Sequence, residues 1–264
     1  MSVSLTQLLA GLAGSLALMT LLWAVSVPLR DVSIIDLFWG PAIALCGAVY
    51  WLFAAPPPVR GSLAVALALL WALRLCVHLA VRNHGKPEDR RYAAMRRRNH
   101  PGFWWQSLYR VFWLQGLLAW IVGLPLFGAV NAPAALNAVD ALGVALFAFG
   151  FVWESAADWQ LAVFLRDRGN SDEVMASGLW RYSRHPNYFG EFCLWWGLWL
   201  IAAAGGAWWT VVGPLLISFF LLKVSGVAML EEDIAERRPA YREYVQNTPA
   251  FFPGLPDNKN KPGD

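Results

Sequence analysis

The chain has 264 residues, of which 58% are hydrophobic and only 15% charged, with a net charge of +3 and a mean hydropathy of +0.43. A soluble domain of this size carries more charge and much shorter apolar runs, so the composition excludes an ordinary soluble enzyme. The apolar runs also lack the alternation of a lipid-facing barrel, which excludes strands as spanning elements.

Apolar runs of about 20 residues, the length that crosses a bilayer core, predict an all-α polytopic membrane protein with seven transmembrane helices. In chain order the predicted spans are Leu5–Val27, Ile35–Ala55, Leu63–Val81, Trp104–Val130, Leu136–Phe164, Tyr188–Ala204 and Trp208–Leu230. We expect residues 1–255 to form a single seven-helix domain and the polar tail, residues 256–264, to be disordered.

Loop charges predict the orientation of the chain in the membrane. The connections after the third and fifth spans and the C-terminal tail are rich in arginine. The connections near Asn131 and Gly205 carry no charge, and the one near Pro57 has only Arg60. Because cytoplasmic loops carry the excess of positive charge, the N-terminus is predicted outside and the C-terminus in the cytoplasm.

The first ionisable residue inside a predicted span is Asp36, at the start of the second span. Placing an ionisable side chain in the membrane costs free energy. One interpretation is a helix cap near the cytoplasmic interface, where a carboxylate pairs well with exposed amides. The other is a general acid that burial keeps protonated. Intramembrane acids are often functional, and the sequence leaves both interpretations open.

Three polar residues of the third span, Arg74, His78 and Arg82, follow one another at i, i+4 and i+8. This spacing aligns them on one helix face. A single arginine near a span end can extend its head group to the interface, but three aligned groups favour a stripe that faces a cavity. Within such a stripe, His78 is a candidate proton donor or a group that polarises a carbonyl.

The fifth span contains two carboxylates one turn apart, Glu154 and Asp158. They could form ion pairs with arginines of a neighbouring span. They could also accept hydrogen bonds from ribose hydroxyls or an amide, as carboxylates do well. The two interpretations do not exclude each other.

The stretch Arg181–Glu191 reads Arg-Tyr-Ser-Arg-His-Pro-Asn-Tyr-Phe-Gly-Glu and runs directly into an apolar helix. So many polar side chains at the entrance of a membrane helix predict a bound polar ligand, since burying them without partners costs several kcal/mol. Pro186 is well placed to start the helix, but capping does not explain Glu191 a full turn inside it. The basic loops nearby suit anionic lipid headgroups or a phosphate-bearing cofactor.

Familiar soluble nucleotide and metal motifs are missing from the sequence. It has no Gly-x-Gly-x-x-Gly after a strand, no Walker loop and no Gly-x-Ser-x-Gly. Cys46, Cys76 and Cys193 lie in apolar runs without paired spacing, which is typical of buried small residues. We therefore predict no metal, and expect any nucleotide cofactor to bind between helices and cytoplasmic loops.

The motif Arg-His-Pro-Asn-Tyr-Phe-Gly-Glu, with Glu231–Glu232 and the tail Tyr241-Arg242-x-Tyr244…Phe252-Pro253, resembles the membrane steroid 5α-reductase family. The chain is most similar to the bacterial branch that carries Ser-x-x-Asp-x-x-Trp-Gly and Arg-x-x-x-His. The resemblance implies seven spans and an integral protein of the bacterial inner membrane. It also implies NADPH-dependent reduction of the C4=C5 double bond of 3-oxo-Δ4 steroids or similar hydrophobic enones.

Residue by residue, the resemblance implies catalytic roles for Asp36, at the position of the family's glutamate, and for His78. The family's catalytic tyrosine is replaced here by Leu79, so His78, another hydroxyl such as that of Tyr92, or Asp36 alone would act. The positions at or near the family's cofactor contacts are Arg82, Arg97, Glu154, Asp158, Arg166, Tyr182, Ser183, Arg184, His185, Asn187, Tyr188, Glu191, Glu232 and Tyr244.

Two other functions compete with reduction. The C-terminal motif is shared with the isoprenylcysteine carboxyl methyltransferases, so the alternative enzyme is an S-adenosylmethionine-dependent methyltransferase of a lipophilic acid. Asp36 and the stripe of the third span favour reduction. The other function is that of a lipid-binding or transport protein, against which the outer halves of most spans have no polar residues. The expected partners are a hydrophobic enone or steroid and the lipid bilayer, and no nucleic acid.

Overall fold

The computed structural model describes residues 3–54, 56–168, 173–224 and 239–255. Within these ranges every regular element is helical, and no strand occurs, which confirms the all-α prediction for this part of the chain. The predicted disordered tail, 256–264, and the Glu231–Glu232 pair lie outside the described residues.

The N-terminal part of the chain is built from three long helices. They are α1 Val3–Leu29, α2 Ile34–Phe53 and α3 Val59–Asn83. They coincide with the first three predicted spans. A short helix, α4 Arg90–Arg98, follows in the basic connection, where Asp89 caps its N-terminus by accepting a hydrogen bond from the Arg91 amide at 2.9 Å.

The fourth predicted span is bent. It consists of α5 Phe103–Ser107, a π-helical turn Leu108–Trp113, α6 Leu114–Val122 and α7 Leu124–Val130. The part up to Val122 and α7 are bent by 40° at Gly123. Pro125 causes the break, because it has no amide hydrogen for a continuous helical ladder and its ring obstructs the preceding turn. The span predicted over Trp104–Val130 is thus a bent pair of helices, which is either one broken span or a re-entrant loop.

The C-terminal part contains two long helices and several shorter elements. They are α8 Ala138–Arg168, a 3-10 turn Gly178–Arg181, α9 Pro186–Ala204, a 3-10 turn Trp208–Val211, α10 Val212–Phe219, a π-helical turn Phe220–Val224 and α11 Pro239–Asn247. As the sequence predicts, Pro186 is the first residue of its helix, where its missing amide hydrogen costs nothing.

Four of the described helices, α1, α2, α3 and α8, are long and apolar enough to cross a membrane, and the bent pair makes five if it is one span. The sixth predicted span corresponds to α9, of 19 residues. This helix is not among those long and apolar enough to cross a membrane. Its hydropathy is lowered by Glu191 and by three tryptophans, Trp195, Trp196 and Trp199, since tryptophan prefers the membrane interface. The seventh, predicted over Trp208–Leu230, is described only to Val224, as a shorter apolar helix.

Contacts between backbone positions divide the chain into two compact units. The first comprises Met1–Ala141 and Leu198–Gly213, and the second comprises Leu142–Gly197 and Pro214–Asp264. In the first unit, α1 packs on α2 and α2 on α3, while α6 and α7 pack against this group. Its interior contains the fully buried side chains of Tyr50, Trp71 and Phe112.

A buried ion pair joins α3 to the start of α8 in the first unit. Arg60 donates to both carboxylate oxygens of Asp140 at 2.8 Å and to the carbonyls of Ala134 and Ala135, also at 2.8 Å. Asn137 and Asp140 cap α8 reciprocally, the Asn137 side chain accepting from the Val139 amide and Asp140 from the Asn137 amide. From the sequence, Arg60 is predicted to be a loop charge and Asp140 has no predicted role; in the structure Arg60 lies in the first turn of α3 and pairs with Asp140.

In the second unit, glycines bring α8 and α9 unusually close together. A Cβ atom at Gly190 would lie 2.6 Å from the backbone nitrogen of Glu154, and one at Gly197 would lie 2.6 Å from the carbonyl oxygen of Gly143. Only glycine permits this approach of two backbones. The contact fixes the register of the two helices, so that Asp158 of α8 reaches Asn187 of α9.

Candidate functional site

In the first unit, the Asp36 carboxylate is held by side chains of α4. Its Oδ1 accepts a hydrogen bond from the Tyr92 hydroxyl at 2.7 Å, and its Oδ2 from Arg91 at 3.0 Å. Ser33 occupies the capping position of α2, and no described backbone amide donates to the Asp36 carboxylate. The structure therefore does not support the helix-cap interpretation of Asp36.

The Tyr92 hydroxyl links Asp36 to α6. It is buried, with 6% of the residue exposed, and accepts a hydrogen bond from the Gln115 side-chain amide at 3.2 Å. Because Gln115 donates to the phenol oxygen, the phenol hydrogen points to Asp36. Burial, together with the negative charge of Asp36, raises the pKa of the Tyr92 hydroxyl above its usual value. Tyr92 therefore stays protonated at neutral pH and can serve as a donor.

Two further hydrogen bonds hold the connection before α4 against the start of α2, and two more join Glu88 to α4. The Asp89 amide donates to the Ser33 hydroxyl at 2.7 Å. Glu88 accepts from the Val32 amide at 2.9 Å and from two nitrogens of Arg96, at 2.7 and 3.0 Å. Burial opposes ionisation of Asp89, but its hydrogen bonds with Arg91 outweigh this effect and lower its pKa. The position of Tyr92 beside Asp36 is thus fixed by a charged network.

The predicted stripe of α3 lies partly at the surface. Arg74 and His78 are half-buried, and Arg82 is exposed, with its Nε 3.2 Å from the Asn83 side-chain oxygen. The charge of Arg82 helps to stabilise the Asp89 carboxylate, so Arg82 belongs to the surroundings of the Asp36 network. Arg97, predicted as a cofactor contact, is exposed on α4.

In the second unit, the predicted polar residues of α8 and α9 face one another. Asn187 donates to the Asp158 carboxylate at 3.1 Å. The side-chain oxygen of Asn187 is buried, and no donor in the described part of the chain reaches it. Glu154 and Glu191 are buried as well. Buried polar atoms are nearly always hydrogen-bonded, so the Asn187 oxygen is open to a donor from a ligand or a water molecule, as are a few other buried oxygens such as those of Gln7 and Gln106.

Three predicted cofactor residues instead hold the C-terminal segment. Ser183 donates to the Phe251 carbonyl at 2.8 Å, and Arg184 donates to the carbonyls of Val245 and Thr248 at 2.9 and 2.6 Å. The Tyr244 hydroxyl donates to the Trp180 carbonyl. Much of the Arg-His-Pro motif therefore fixes residues 244–251 in place.

The remaining predicted positions are dispersed. The ring of His185 stacks on Tyr188 with centroids 5.6 Å apart, and Tyr182 is 39% exposed. Arg166 is exposed and pairs with its neighbour Asp167 at 3.0 Å. Glu232 lies outside the described residues.

A cleft of about 470 Å³ opens beside the end of α8, a volume in the range of small-molecule sites. Its walls come from the last three turns of α8 and from the segment that follows Glu173. They are formed by Trp159, Gln160, Val163, Phe164, Asp167, Glu173, Met175, Ser177 and Gly178. Most of this cleft is outside the predicted site.

The described residues contain no group of three or more His, Cys, Asp or Glu side chains that could hold a metal. Cys46 and Cys193 are buried, as predicted, whereas Cys76 is half-buried, and all three are free thiols.

The residues that sequence reasoning missed are Arg91 and Gln115, the partners of Asp36 and Tyr92. Arg91 is one of six arginines in the basic connection, and Gln115 is an isolated amide in an apolar run, so neither carries a distinguishing signal. Tyr92 does carry a distinguishing signal, because it is the single hydroxyl-bearing side chain between Asn83 and Gly102.

Comparison with known proteins places the chain in a family. A family model described as a protein of unknown function, DUF1295, matches residues 22–248. The chain belongs to the DUF1295 family. A relative of this DUF1295 protein is the uncharacterized protein C594.04c of Schizosaccharomyces pombe, 28% identical over 277 residues that cover 93% of this chain and 79% of the relative. No solved structure matches the chain.

Proposed function

We propose that this DUF1295 protein is an NADPH-dependent membrane reductase. Its substrate is a hydrophobic enone, such as a 3-oxo-Δ4 steroid, whose carbon–carbon double bond is reduced. The observation that carries the proposal is the hydrogen bond between the buried Tyr92 hydroxyl and Asp36. The DUF1295 family also includes steroid 5α-reductase-like proteins, in line with the motif resemblance.

Enone reduction requires a hydrogen-bond donor at the ketone oxygen. When bound, NADPH supplies a hydride to the β-carbon, and negative charge then develops on the ketone oxygen. A donor aimed at that charge lowers the barrier, as in an oxyanion hole. Tyr92 can be such a donor, because a tyrosine hydroxyl is protonated at neutral pH and this one is held in place by Asp36 and Gln115. In this proposal Tyr92 takes the role of the family tyrosine that Leu79 replaces.

Asp36 and Gln115 position Tyr92 and connect it to a proton source. Gln115 donates to the phenol oxygen and Asp36 accepts the phenol hydrogen, so the ring is held from both sides. When Asp36 is protonated, it can donate to the phenol oxygen while Tyr92 donates to the substrate. The proton that completes the reduction would enter through this pair. Asp36 is 21% exposed, so the pair is within reach of a ligand.

The residues of the second unit fit the amide and hydroxyl groups of a dinucleotide. The buried Asn187 oxygen needs a donor, which a nicotinamide carboxamide or a ribose hydroxyl provides. Asp158 accepts hydrogen bonds beside it. Asn187, Asp158 and the buried Glu191 would therefore hold the cofactor, whereas Ser183, Arg184 and Tyr244 would support the segment around them.

The proposal predicts that Tyr92→Phe lowers kcat about 100- to 1000-fold with a 3-oxo-Δ4 steroid, the usual effect of removing one oxyanion donor. The affinity for NADPH should stay within a factor of two of the original value, because the phenyl ring keeps its place. Loss of the reduced-nicotinamide absorbance measures turnover, and nucleotide fluorescence titration measures affinity.

The matched control is Tyr109→Phe, which removes the hydroxyl of an exposed tyrosine in the same unit and should leave turnover unchanged. Full turnover by Tyr92→Phe would contradict the assignment of Tyr92. Methyl transfer from S-adenosylmethionine to a lipophilic acid, with no oxidation of NADPH, would contradict the reductase proposal itself.

A further inference from the structure

The arginines of α4 fall into two classes. Arg91 is paired with Asp36 and Asp89, and Arg96 with Glu88. Arg90, Arg97 and Arg98 are exposed, and no carboxylate among the described residues pairs with any of them. The pairs thus neutralise Arg91 and Arg96, and three exposed positive charges remain on one short helix without a carboxylate partner among the described residues.

An aromatic belt of the kind found at membrane interfaces follows α4 directly. Trp104 and Trp105 are 55% and 47% exposed, and Tyr109 is also exposed. Trp104 is fixed by Trp23 of α1, which stacks on its ring and donates to its carbonyl at 2.7 Å. Trp105 packs against Tyr109 with ring centroids 5.6 Å apart. Exposed tryptophan and tyrosine mark the level of the lipid headgroups.

We propose that the outer face of α4, formed by Arg90, Arg97 and Arg98, binds the phosphate of anionic phospholipids in the adjoining leaflet. No carboxylate among residues 3–54, 56–168, 173–224 and 239–255 pairs with these three charges, so they are open to an anionic partner, and the aromatic belt beside them is typical of headgroup depth. Arginine forks match phosphate oxygens, and clustered arginines at an interface attract anionic lipid. The surface uses none of the residues proposed to act in reduction, although Tyr92 lies on the same helix, and it assigns Arg97 to lipid instead of to the cofactor.

Two simpler roles account for only part of the arrangement. Basic residues in the last turn of a helix favour its C-terminal dipole, and Arg96 already supplies one there. Positive charge on cytoplasmic loops orients a membrane protein, but orientation needs no exposed aromatic residues beside the charge.

The test is a titration of the purified full chain in detergent with dioleoylphosphatidylglycerol or dioleoylphosphatidylcholine, with bound lipid counted by native mass spectrometry. The double variant R97Q/R98Q should bind the anionic phosphatidylglycerol about 25-fold more weakly, at about fivefold per arginine. Binding of the zwitterionic phosphatidylcholine should not change. The matched control is Arg166→Gln, an exposed arginine that already has a carboxylate partner, and it should bind both lipids as the original protein does.

Undiminished binding of the glycerol lipid by R97Q/R98Q would overturn the proposal, as would an equal loss in the Arg166→Gln control. A separate titration with NADPH and NADH identifies the other possible phosphate. If R97Q/R98Q loses affinity for NADPH but not for NADH while lipid binding persists, the arginines hold the cofactor's 2′-phosphate and the lipid assignment is wrong.

Discussion

Among single residues, Asn187 is the clearest candidate for a direct contact with a ligand. Its amide hydrogen satisfies Asp158, but its buried oxygen has no donor in the described part of the chain. A buried carbonyl of this kind is costly unless something donates to it. Ser183 and Arg184 of the same motif, and Tyr244 of the C-terminal segment, instead donate to backbone carbonyls.

We predict that Asn187→Ala weakens NADPH binding about tenfold, the value of about one hydrogen bond in a buried site. Fluorescence titration with NADPH measures the dissociation constant. The matched control is Asn247→Ala, in the same unit, which should bind NADPH unchanged. If Asn187→Ala keeps the original affinity, the unsatisfied oxygen does not serve the cofactor.

At the scale of helices, the Arg60–Asp140 pair links α3 to the capped start of α8. Both side chains are almost fully buried. The Arg60 guanidinium donates hydrogen bonds to the Asp140 carboxylate and to two backbone carbonyls. Buried pairs of this kind are costly to break one side at a time, because the partner remains as an uncompensated charge.

We predict that Arg60→Ala and Asp140→Ala each destabilise the protein by about 3–5 kcal/mol. The double variant should be destabilised by much less than the sum, because neither charge is then left unpaired. Thermal unfolding of the original protein, the two single variants and the double variant in one detergent measures this double-mutant cycle. Strict additivity of the two single effects would show that the pair does not act as a unit.

Sequence patterns predict the long helices of this fold better than the bends within them or the contacts between them. Long apolar runs suffice for α1, α2, α3 and α8, because hydrophobic length alone determines a spanning helix. The bend at Gly123 depends on Pro125 and its packing, and a window of hydropathy does not detect it. The close contact of α8 and α9 depends on which glycines face each other, which the sequence alone does not define.

The candidate site shows the same division. Asp36 and Asp158 are carboxylates in apolar runs, where burial costs free energy, and Asn187 belongs to a polar stretch at the entrance of a predicted span, so the sequence identifies all three. Gln115 and Arg91 are ordinary by type and position, and only the fold brings them to Tyr92 and Asp36. The motif at 181–191 predicts ligand binding throughout, yet Ser183 and Arg184 hold backbone, because a sequence motif does not separate contacting residues from supporting ones.

At the scale of the whole molecule, the proposed function gives one chemical purpose to polar groups that a membrane protein would otherwise avoid. In this proposal Asp36, Tyr92 and Gln115 of the first unit would provide a proton donor. Asp158, Asn187 and Glu191 of the second unit would provide partners for a polar cofactor.

The central claim is direct hydride transfer from NADPH to an enone, and isotope labelling tests it. The purified protein is incubated with NADPH deuterated at C4 of the nicotinamide and with a 3-oxo-Δ4 steroid, and the product is analysed by mass spectrometry and NMR. The account predicts one deuterium at the β-carbon of a saturated ketone. A reduced product without deuterium from either face of the nicotinamide, or an unchanged enone, would contradict it.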